Sequence, residues 1–103
     1  IGRETDVIKT PVQQTLVVHS FTGIFEYFPE IEQYKIIQNE LSEIIIQYIP
    51  EEGKNVNLSL QKIKDKLTSL TKNSLEINFV EVDKIAPTKS GKPQIIASNL
   101  KTD

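Results

Sequence analysis

Two β-branched and aromatic runs, Ile31 to Gln38 and Leu41 to Ile49, are separated only by Asn39-Glu40, and this pair constrains the fold more than any other feature. Runs of this kind, joined by two polar residues, form an antiparallel hairpin. In the second run Ile44, Ile46 and Tyr48 share one face and Ile45 and Ile49 the other. The spacing predicts a central strand covered on both sides. The rest of the chain has to supply that cover.

Two segments have the helical period. Phe21, Phe25 and Phe28 recur at helical spacing behind Ser20, a candidate N-cap, and Pro29 ends the run. This stripe reads as core, because packing against a sheet accounts for it. Leu60, Ile63, Leu67 and Leu70 form a second stripe behind Asn57, another candidate cap, in an amphipathic helix of about four turns. Its outer face carries Lys62, Lys64, Asp65 and Lys66, an ordinary solvated surface. Asn73 is suited to the left-handed cap that closes it.

Shorter strands flank these elements: Thr15 to Val18, Leu75 to Val82, and a last edge strand at Gln94 to Ala97. The predicted core is Ile36, Ile44, Ile46, Leu60, Ile63, Leu67, Leu70, Ile77 and Phe79. The order strand, helix, strand, strand, helix, strand implies an α+β class. It is a small ferredoxin-like, split βαβ sandwich with two helices on one face of an antiparallel sheet. Residues 1–14 are polar, contain Pro11 and read as a hinge or linker segment, leaving 15–103 as the domain.

Composition limits what such a domain can do. The 103 residues are 38% hydrophobic and 25% charged, enough for one modest core but not for a large enzyme. A net charge of -2 argues against nonspecific nucleic-acid binding, and no apolar run is long enough for a bilayer span. With no cysteine and a single histidine, His19, neither a disulfide framework nor a zinc site is expected. No leader sequence is recognisable, so cytoplasm is the default. The absence of methionine suggests a piece of a longer protein.

Function must come from the two polar ends. Thr88-Lys89-Ser90-Gly91-Lys92 is a small turn whose Ser-Gly step brings the chain round sharply and holds Lys92 on a short loop. Residue chemistry leaves two readings of Lys92: a solvated surface lysine, or a cation placed for a phosphate or for an oxyanion that develops in a transition state. Glu51 and Glu52 are adjacent on a loop, with no fixed separation for acid/base work.

Taken together, Gly2-Arg3-Glu4-Thr5-Asp6-Val7-Ile8-Lys9 and Ile85-Ala86-Pro87-Thr88-Lys89-Ser90-Gly91-Lys92 resemble the paired motifs of the acyl-adenylate-forming ligases. Glu32 to Gln38 is similar to the first core strand of the phenylacetate-CoA ligase branch and its capsular-polysaccharide-type relatives. The resemblance implies the mobile C-terminal domain of an ATP-dependent, AMP-forming enzyme, partnered by an N-terminal domain that holds ATP with magnesium and the carboxylic acid. Coenzyme A would be the usual acceptor. Lys92, on a loop from 86 to 92 with Thr88, Ser90 and Gly91, would be the adenylation lysine. Arg3 would contact ribose hydroxyls, and Thr5 and Asp6 would form the hinge. The sequence departs from the family at several points. Thr5 replaces the usual aspartate or lysine, Val12-Gln13-Gln14 replaces a glycine, and Ala86, Pro87 and Gln94 replace a proline, a basic residue and an arginine. Two other readings stand beside this one: a ferredoxin-like sensing or interaction module, and a ligase homologue that has lost catalysis.

Overall fold

The computed structural model describes residues 7–85 and 95–100. Along the chain run β1 (Ile8–Lys9), β2 (Thr15–Leu16), α1 (Val18–Phe25), β3 (Ile31–Glu40), β4 (Glu43–Pro50), α2 (Asn57–Leu70), β5 (Glu76–Glu81) and β6 (Ile96–Ser98). The class is α+β, as the element order implied.

The β3–β4 hairpin forms the centre of a four-stranded sheet ordered β5-β4-β3-β6, with Ile36 opposite Ile46 and Tyr34 opposite Tyr48. Its tip lies two residues beyond the expected place. β3 continues through Asn39 and Glu40, Glu40 faces Glu43, and a register irregularity after Ile37 absorbs the difference. The sheet is antiparallel only at this hairpin, whereas the sequence order implied antiparallel pairing throughout. β5 runs parallel to β4 and β6 parallel to β3. The reason is the connection. α2 carries the chain back to the start of β4, placing Glu76 beside Glu43, and a strand that follows such a crossover runs parallel to its predecessor.

One sheet face carries the core. Ile36, Ile44 and Ile46 are fully buried, and Ile77 nearly so, beneath Phe21 and Phe25 of α1 and Ile63 and Leu67 of α2. Both helices therefore lie on the same face. The Phe25 and Tyr34 rings stack at 3.8 Å, which ties α1 to the sheet. Leu60 and Phe79 pack at the margin of this core, but Leu70, expected inside, is 41% exposed at the last turn of α2. The other face shows the second departure. Ile37, Ile45 and Ile49 are only half-buried and Val80 is exposed, so among the described residues β4 is covered on one side.

Local ends follow side-chain chemistry. α1 starts at Val18, two residues before the expected cap. Ser20 sits in the first turn, where its Oγ accepts the Val17 N–H at 3.3 Å. Asn57 is the first residue of α2, and its N–H donates to Asn55 Oδ1 at 3.0 Å. Beyond α2, Lys72 and Asn73 both take left-handed backbone, as expected for Asn73. Within the segment read as a linker, Ile8–Lys9 forms a strand and Ile8 is completely buried. No helix among the described residues is long and apolar enough to cross a membrane.

Candidate functional site

Arg3, Thr5, Asp6, Thr88, Ser90, Gly91 and Lys92 all lie outside the described residues. What the structure does define is where the two segments that carry them are anchored. The N-terminal segment enters at β1, and the lysine segment leaves from β5 at one edge of the sheet and returns as β6 at the other. Both anchors meet on β3. β6 pairs with Ile36, Ile37 and Gln38, while the Gln38 side chain holds β1. Gln38 Oε1 accepts the Lys9 N–H at 3.0 Å, and its Nε2 donates to the carbonyls of Lys9 and Leu41 at 2.6 and 3.2 Å. A buried amide is costly unless bonded, and this one, with no exposed surface, uses both donors and its oxygen.

β1 and β2 form a small hairpin whose turn has a defined shape. The Gln13 N–H donates to the Thr10 carbonyl at 3.0 Å, and the Gln14 N–H to Thr10 Oγ1 at 3.0 Å. Gln13 takes φ 65°, in the left-handed region. This is the segment where the ligase resemblance places a glycine, so the turn keeps a backbone shape suited to glycine while adding a side chain.

A cleft of about 490 Å³ opens beside this hairpin, lined by Lys9, Thr10, Gln13, Gln14, Thr15, Leu41 and Leu100. It combines hydrocarbon walls with one ammonium and two hydroxyls. Gln14 Nε2 donates to the Leu70 carbonyl at 3.1 Å, whereas its Oε1 is buried without a partner among the described residues. Sequence reasoning missed this cleft, because its walls come from three separated segments. The only local signal was the cluster of threonines and glutamines from Thr10 to Thr15.

Carboxylates mark two other places. Ser59 Oγ donates to the Glu30 carboxylate, and this bond holds Glu30 below its ordinary range. At the start of β4, partial burial and then the charges of Glu40 and Glu76 push Glu43 upward. Among the described residues no cluster of His, Asp and Glu could hold a metal ion.

The family model of the CapK C-terminal domain matches residues 8–99, beginning at β1 and ending just beyond β6. The chain belongs to the CapK C-terminal domain family. The same fold recurs in acyl-adenylate-forming ligases. A chain from a study of fatty acyl-adenylate ligases of E. coli and L. pneumophila superposes with a TM-score of 0.65 at 21% identity, over 90% of this chain. An open 2-hydroxyisobutyryl-CoA ligase, bound to 2-HIB-AMP and CoA, gives 0.61 at 13% identity over 92% of it. This CapK C-terminal domain spans 17% and 22% of those two chains. No curated protein matches it in sequence. The family is that of the CapK C-terminal domain and the fold is one found in these ligase chains, in line with the sequence resemblance.

Proposed function

We propose that this CapK C-terminal domain is the mobile domain of an ATP-dependent, AMP-forming acyl or aryl ligase and supplies the lysine for adenylation. The observation that carries this reading is the family match across residues 8–99, which spans the lysine loop at 86–92 and begins just after Arg3, Thr5 and Asp6. In the reaction a carboxylate oxygen attacks the α-phosphate of ATP, forming an acyl adenylate and expelling pyrophosphate. Negative charge concentrates on the oxygens between carboxylate and phosphate. Lys92, carried on its loop, would place one ammonium there, a contribution of roughly 3 kcal/mol if it is preorganised. Arg3 would donate to the ribose hydroxyls, and Thr5 and Asp6 would let the domain turn before the acyl group passes to a thiol such as that of coenzyme A.

The test uses the full-length protein. Lys92→Ala is expected to lower adenylate formation, followed by pyrophosphate exchange, about a hundredfold or more. Thioester formation from supplied adenylate should change far less, because the rotated domain has carried Lys92 away. Equal loss in both steps would assign Lys92 to structure or binding. No adenylate from the unaltered protein with a broad panel of acids would favour the homologue that has lost catalysis.

A further inference from the structure

We infer that Gln38 is a positioning residue: it joins the strand that enters the domain to the strand that returns from the lysine loop, so that the two move as one body. The inference rests on the ligase reading for its consequence in catalysis, but the joint itself is visible in the structure. Gln38 continues the core face of β3 after Tyr34 and Ile36, where an apolar residue would pack without any polar demand. The amide there instead binds the Lys9 peptide on both sides, N–H and carbonyl, as a neighbouring strand would. Its second Nε2 bond, to the Leu41 carbonyl, fixes the amide to the hairpin tip.

The backbone of the same residue serves the other segment. The Gln38 carbonyl accepts the Asn99 N–H at 2.7 Å, Ser98 lies beside it in the parallel register, and Asn99 Nδ2 donates to Asn39 Oδ1 at 2.8 Å. One residue of β3 thus holds the chain just after the N-terminal segment and just after the lysine segment. With Lys9 bonded on both sides and Ile8 fully buried, a swivel between domains has to be taken up ahead of Ile8. A turn of the domain therefore carries β1 and β6 together, and with β6 the point at which the lysine segment returns to the sheet.

The experiment uses the full-length protein with Gln38→Met, which keeps the volume and removes the three bonds, and Gln38→Leu, which likewise removes the acceptor and both donors. Amide hydrogen exchange reads the joint directly. The Lys9 amide should exchange at least about tenfold faster in both variants while β3 and β4 retain their protection. Rapid-quench kinetics read the consequence. The amplitude of the adenylate burst, which counts folded sites, should be kept, and its rate constant should fall about tenfold. A merely structural role would lower the amplitude and leave the rate constant alone, and that result would overturn the inference. So would faster exchange spread evenly over the whole sheet. Should Gln38→Met fail to fold, Gln38→Leu carries the same two readouts. Should the unaltered protein make no adenylate, the ligase reading falls, and the exchange data still decide whether Gln38 holds Lys9.

Discussion

At Gln13 an ordinary side chain occupies left-handed backbone, φ 65°, to close the β1–β2 turn. That conformation costs an L-residue with a Cβ more than it costs glycine. Gln13→Gly is therefore expected to stabilise the domain by about 0.5 to 1 kcal/mol, measured as a rise in the denaturation midpoint at constant m. Two carboxylates give opposite dependences on pH. Glu43 titrates above its ordinary 4.5 in the folded state, so the fold binds its proton more tightly than the unfolded chain does. Stability falls as pH rises from 4.5 through that raised value, and Glu43→Gln should gain on the parent protein at neutral pH but not in acid. Glu30 titrates below 4.5 through its bond from Ser59, so its contribution is complete above 4.5 and is lost as pH falls through the depressed value. Ser59→Ala should remove that part of the acid-side loss, read from denaturation curves taken across acid pH.

Among the elements, α2 shows how one periodic stripe divides between core and rim. Leu67 is fully buried against the sheet and Leu70, three residues on, is 41% exposed. Leu67→Ala should cost about 2 to 5 kcal/mol, and Leu70→Ala less than about 1 kcal/mol, in equilibrium denaturation. Similar losses at both would place the C-terminal turn of α2 deeper than the structure has it. The period was legible in the sequence, but the stripe is wider than the contact. Where α2 leaves the sheet, its carbonyl at Leu70 is met by Gln14 from the β1–β2 hairpin, a polar contact across 56 residues that no local pattern announces.

On the scale of the whole molecule, the cleft beside the β1–β2 hairpin has, among the described residues, no carboxylate and no aromatic wall in its lining. An adenine slot, a phosphate cradle and carboxylates for magnesium are needed together for tight binding of MgATP. The 103-residue chain by itself is therefore expected to bind MgATP with millimolar affinity or not at all in calorimetric titration. Saturable micromolar binding would contradict the ligase-domain reading and favour a nucleotide-sensing module. Among the described residues the other face of the sheet, with Ile37, Ile45 and Ile49 half-buried, has no covering element, since α1 and α2 both lie on the core side.

The sequence by itself determined the central hairpin, the two helices, most of the core and the resemblance to adenylate-forming ligases. These depend on local periodicity and on short motifs such as Thr88 to Lys92, which a single chain displays in order. The tertiary structure decided which strands run parallel, which face of β4 is covered, and that Ile8 and Lys9 belong to the packed fold. Each of these depends on where a crossover lands or on which distant group meets a buried polar atom. Gln38 is the plainest case. In sequence it is the polar end of a strand, and only the approach of Lys9, 29 residues away, makes its amide a joint.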